Sequence, residues 1–139
     1  MTELRPPNSD QIELILFGPG YGECVAVHLG ENRWIVVDSC LDTKTSRPAV
    51  IEYFSSIGIN PEESVKLIII SHWHDDHIRG LSDIISSCPK ASVCCSSVLT
   101  QKEFLLYVLN FQNLMTNTNL SGVSEIRCVF RRKPPPDSV

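Results

Sequence analysis

The sequence has no long hydrophobic run. None of its apolar stretches approaches the roughly 20 residues that a helix needs to cross a bilayer, so no membrane span is predicted. The opening residues, MTELRPPNSD, are polar and lack the apolar centre of a secretory signal, which predicts a cytoplasmic protein. Positive charge is not in excess: 12 Lys and Arg stand against 16 Asp and Glu, a net charge of −4. That balance argues against a broad nucleic-acid footprint made by net charge and leaves only a local groove open. No C-x-x-C pair occurs. Without an export signal, Cys24, Cys40, Cys88, Cys94, Cys95 and Cys128 are expected as thiols, most of them small buried apolar groups. Gly18-Pro19-Gly20-Tyr21-Gly22 has no Gly-Lys-Ser/Thr ending and leads into a strand, which makes it a turn between strands and not a phosphate cradle. At 139 residues the chain makes at most one domain.

What the sequence does contain is a dense polar cluster. Three of its four histidines fall within Ser71-His72-Trp73-His74-Asp75-Asp76-His77, with two aspartates among them. The run follows Val65 to Ile70 (VKLIII), whose apolar continuity after Lys66 suits a strand covered on both faces. A strand end is rigid while the loop leaving it is open to solvent, so ligands placed there are both held and reachable. Side chains two apart in an extended backbone point the same way, which lets His72, His74 and Asp76 share one side. His77 joins them only if the chain turns at the corner before the next helix. Carboxylates packed together repel one another. A divalent metal removes that conflict, because imidazole nitrogens and carboxylate oxygens are its ordinary ligands.

The rest of the chain reads as alternating strands and helices. Residues 1–10, with Pro6-Pro7, read as a flexible lead-in. Strands are predicted over 11–17, 24–29 and 33–37. His28 shares a face with Cys24 and Ala26 and is expected to be structural or surface, not a ligand. Asp38 ends the third strand, where hydrogen bonding in the next loop is at least as good an expectation as direct chemistry. Residues 48–57 form a helix with an apolar stripe of Val50, Ile51, Phe54 and Ile57, stopped by Gly58. Asn60-Pro61-Glu62-Glu63 reads as a capped single turn. Ile78, Leu81, Ile84, Ile85 and Cys88 give a second helical stripe that begins at the cluster, so that its positive dipole end would favour an anion there. Residues 91–95 form a fifth strand, with Cys94 and Cys95 on opposite faces. The capping box Thr100-x-x-Glu103 opens a helix reaching Leu114, and 124–130 reads as a last strand before a disordered basic, proline-rich tail at 131–139. The order βββαβαβα gives an α/β layered domain over 11–130, one sheet with helices on one side.

His72-x-His74-x-Asp76-His77, behind VKLIII and before Ile78-x-Gly80-Leu81, resembles the HxHxDH signature of the metallo-β-lactamase fold. The resemblance implies the first half of an αββα sandwich, whose second sheet covers the sheet's other face. It implies Zn2+, one or two ions, with Mn2+ or Fe as alternatives. Carried over by position, His72 and His74 would bind the first metal, and Asp76 and His77 the second. Asp76 would also be catalytic, ligating or orienting the attacking water. Asp75 is not a ligand position of the family, and an aspartate at the place of Asp38 mainly supports the site. The activity implied is hydrolysis of an ester, thioester, amide or phosphodiester, with a small-molecule or phosphodiester substrate. The family's remaining ligands, a further histidine, a bridging aspartate and a final histidine, lie later in its chains. Here no histidine follows His77, and Asp83, Glu103, Glu125 and Asp137 sit in no matching motif. The sequence thus reads as the amino-terminal part of a metallo-hydrolase. The alternatives are a chain whose partial site and core are completed by self-association or a partner, and a non-enzymatic interaction module.

Overall fold

The computed structural model describes residues 4–20, 22–72 and 75–95, and for Pro19, Gly20, Asp75 and Asp76 the backbone alone. The helix expected to open at Thr100, the strand at 124–130 and the tail at 131–139 lie outside the described residues, as does His74. The elements are β1 (Glu13–Gly20), β2 (Gly22–His28), β3 (Trp34–Asp38), α1 (Ala49–Ser56), α2 (Pro61–Ser64), β4 (Val65–Ile70), α3 (Asp75–Ile78), α4 (Leu81–Ser87) and β5 (Ser92–Cys95). All five described strands join one sheet in sequence order. β1, β2 and β3 are antiparallel neighbours, as their short connections require, and β4 and β5 add in parallel after helical crossovers. The α/β layered fold is as the sequence predicts, and among the described residues its sheet is five-stranded and mixed. None of the described helices is long and apolar enough to cross a membrane.

The pairing registers sort the sheet into two faces, because directly paired residues point the same way. One face carries Ala26, Val36 and Ile68 in a row, with Cys24, Trp34 and Ile70 beside them. All six are buried beneath α1 and α4, which contribute Val50, Ile51, Phe54, Leu81, Ile84 and Ile85. The stripes predicted for those two helices are therefore the ones that pack. Trp34 anchors the layer, its ring edge-on to Phe54 with centroids 5.1 Å apart. His28 is buried with its ring 4.8 Å from that of Trp34, a structural position as expected. It lines, with Pro6, Pro7 and Trp34, a cavity of about 210 Å³ at the end of β3 away from Asp38. The lead-in is tied to the β2–β3 turn, where Glu31 N donates to the Ser9 carbonyl at 2.7 Å.

Local sequence accounts for the boundaries. Asn60 Oδ1 accepts from Glu62 N at 3.1 Å and Pro61 occupies the first turn, the predicted cap of α2. The glycine stretch extends β1 instead of ending it at Phe17, with an irregular register between Phe17 and Gly20. The second helix differs more. In place of one helix opening at the cluster, a four-residue turn, α3, stops at Gly80, which has φ +78°, and α4 starts anew. A Cβ on Gly80 would lie 2.7 Å from Leu41 Cδ2 and 3.0 Å from Pro48 Cγ, so glycine is what lets the chain pass beneath the 41–48 loop. A single turn carries little macrodipole, which removes the predicted dipole argument for an anion at the cluster.

Candidate metal centre

The parallel pairing of β3 with β4 places the carboxyl ends of these strands side by side, the usual position of ligand sites in sheets of this kind. Asp38 is the last residue of β3, and Ser71 and His72 are the first two beyond β4. Asp38 has φ +58°, a left-handed conformation that costs a side-chain-bearing residue free energy and often marks a functional position. The chain leaving it is held: Ser39 N donates to the His77 carbonyl at 2.7 Å, and Ser39 Oγ donates to the Arg79 carbonyl at 2.5 Å. These bonds dock α3 on the exit of β3 and supply the turn that His77 needed.

Asp38 is the hub. Its carboxylate is buried and accepts from Ser71 N at 2.8 Å through Oδ1. Through Oδ2 it meets the Ser71 hydroxyl and, at 3.2 Å, His77 Nδ1. Ser71 Oγ in turn lies 2.7 Å from His72 Nδ1. The two imidazole rings come together with centroids 3.9 Å apart. One ligand atom from each of Asp38, His72 and His77 lies within 4.8 Å of the others. Asp38 is buried, His77 half-buried and His72 exposed.

This donor set fits a divalent metal. Two imidazoles and a carboxylate are first-row ligands, and an ion holding them at about 2.0–2.2 Å sets tetrahedral ligand atoms about 3.3–3.6 Å apart. The limit of 4.8 Å seen here is more than 1 Å wider, so a bound ion would have to draw the ligand atoms together. A buried thiol lies beside this group. Cys24, paired with Asp38 across β2 and β3, is pushed far above the ordinary thiol range, first by burial and then by the proximity of Cys40 and Asp38. It stays protonated at neutral pH.

Of the residues predicted for the site, the structure brings His72 and His77 together. His74 lies outside the described residues, and so does the side chain of Asp76. For Asp38 the sequence leaves loop hydrogen bonding and direct chemistry open, and the resemblance implies a supporting place; its carboxylate reaches across to Ser71 and His77. Ser71 was not singled out. The available signal was a polar residue at the end of each of two apolar strands, and only the parallel pairing shows that those two ends meet.

A family model described as the metallo-beta-lactamase superfamily matches residues 17–114. Among solved structures, the chain is similar to metallo-beta-lactamase SMB-1 bound to 2-mercaptoethanesulfonate. The identity is 21% and the TM-score 0.47, over 67% of this chain and 35% of that one. It is also similar to the Rm3 metallo-beta-lactamase, with 27% identity and a TM-score of 0.46 over 65% of this chain and 30% of that one. The chain spans about a third of the length of these proteins.

Proposed function

The chain belongs to the metallo-beta-lactamase superfamily, a family of metal-dependent hydrolases, and on that premise we propose that it carries the amino-terminal part of a hydrolytic metal centre. The observation that supports this most is the convergence of Asp38, His72 and His77 at the mouth of β3 and β4. In this reading His72 and His74 hold one metal, and Asp76 and His77 hold or border a second. The bound metal, Zn2+ or else Mn2+ or Fe, would supply an activated water near neutral pH and a Lewis acid for the substrate oxygen. His72 and His77 contribute nitrogen donors. Asp38 contributes buried negative charge and fixes His77, while Asp76 orients the water. The substrate is an ester, thioester, amide or phosphodiester.

The test is an assay of the zinc- or manganese-loaded chain against a panel of phosphodiesters, thioesters and lactones. Metal uptake is expected, with its loss in a folded His72→Ala/His74→Ala variant, and turnover of one class is expected where further polypeptide or a partner supplies the family's remaining ligands. Stoichiometric metal retained in that variant would contradict the assignment.

A second reading is favoured by the other face of the sheet. Leu14, Leu16, Val25, Val27, Ile35, Val37, Leu67 and Ile69 line it, paired across neighbouring strands, and Leu14 and Leu16 are 67% and 66% exposed. An apolar face of this breadth marks a contact surface, and it favours a core completed by further polypeptide, a second copy or a partner. A dimer holding stoichiometric metal by gel filtration and metal analysis supports this reading. A metal-free monomer supports a non-enzymatic module instead.

A further inference from the structure

The hydrogen bonds around Ser71 have a direction, and the direction fixes a tautomer. A carboxylate can only accept, and a serine hydroxyl has one proton to give. Ser71 Oγ–H donates to Asp38 Oδ2. The contact of 2.7 Å between the same oxygen and His72 Nδ1 must then be made by a proton on the ring nitrogen, with Oγ accepting. The same argument applies to His77, whose Nδ1 faces the carboxylate at 3.2 Å and must donate to it. A neutral imidazole carries one ring proton. In its neutral form each ring therefore keeps that proton on Nδ1 and has its lone pair on Nε2.

We infer that Ser71 is a positioning residue, relaying the Asp38 carboxylate to His72 so that His72 presents Nε2 as its donor atom. Its place in the chain suits the task. Ser71 is the first residue beyond β4, and its backbone N–H also bonds Asp38 Oδ1 at 2.8 Å. One carboxylate thus orients two histidines, His77 directly and His72 through the serine. A histidine ligand whose other nitrogen is held in this way is both better oriented and more basic. The consequence for metal affinity rests on the proposed hydrolase reading, whereas the tautomer itself does not.

The experiment is long-range proton–nitrogen NMR of the metal-free full chain with labelled histidine, above the ordinary histidine pKa of about 6.5. His72 is expected to show a protonated Nδ1 and an unprotonated Nε2. Ser71→Ala releases this preference and shifts His72 toward the Nε2–H form, leaving His77 unchanged, while Ser71→Thr preserves it. Zinc affinity falls about 10–100-fold in Ser71→Ala and is restored by Ser71→Thr. A wild-type His72 found in the Nε2–H form overturns the inference, even if the alanine variant fails to fold. So does an alanine variant that keeps both the tautomer and the zinc affinity. A wild-type chain with the expected tautomer but no zinc uptake supports the role of Ser71 and contradicts the metal reading.

Discussion

His77 and Asp38 stand 39 residues apart in the chain and meet at 3.2 Å through Nδ1 and Oδ2. The contact joins α3 to the end of β3. Because Asp38 is buried, removing its charge leaves Ser71 N–H and His77 N–H without their acceptor. Asp38→Ala is expected to destabilise the fold by about 1–3 kcal/mol in urea titrations. Asp38→Asn should keep the fold better and still lower zinc affinity about 10–100-fold, because an amide satisfies these donors less well. An Asp38→Asn chain with unaltered zinc affinity would place the carboxylate outside the metal's environment.

Gly80 separates α3 from α4 and is a position where backbone freedom is required. Gly58 also has positive φ, +70°, but a Cβ there would meet nothing within 4 Å. Gly58→Ala should cost about 1 kcal/mol for the backbone conformation alone. Gly80→Ala should cost about 1–3 kcal/mol more, because Leu41 and Pro48 must move. Chemical denaturation of the two variants side by side checks the difference, and equal losses would show that the 41–48 loop yields freely.

Much of this was legible in the sequence for a simple reason. The strands and helices are written in local periodicity: Val50, Ile51 and Phe54 recur at helical spacing and pack where that spacing puts them. The cluster was visible because histidine and aspartate are rarely so dense. The break at Gly80 was not legible, since an apolar stripe from Ile78 to Cys88 continues straight across it. What forbids a side chain there is Leu41 and Pro48, which are distant in sequence. Ser71 was hidden in the same way, and only the resemblance gave Asp38 a place beside the site. Each is an ordinary polar residue at a strand end, and its meaning comes from β3 and β4 lying side by side in parallel.

Away from the site, Lys90 forms an ion pair with Glu63. The hydrogen bond from Lys90, and then its charge, hold the Glu63 carboxyl below its ordinary value of 4.5 and raise the Lys90 ammonium above 10.5. The sign follows from linkage. A depressed carboxyl stabilises the fold above its unfolded value and loses that contribution as pH falls through the folded one. The raised ammonium contributes below about pH 10.5 and loses its contribution as pH rises beyond. Both groups are exposed, so the effect should be small and suppressed by salt. Lys90→Ala should move the Glu63 titration midpoint upward by carbon NMR. No movement would mean that the pair does not persist in solution.

Calorimetric zinc titration of the full chain and of the His72→Ala/His77→Ala variant, with circular dichroism to verify the fold, decides whether the ends of β3 and β4 hold a divalent metal through residues that include His72 and His77. Stoichiometric uptake by the wild type and none by the folded variant is expected. A wild type that takes up no zinc, or a variant that still binds it in full, would contradict a metal site there.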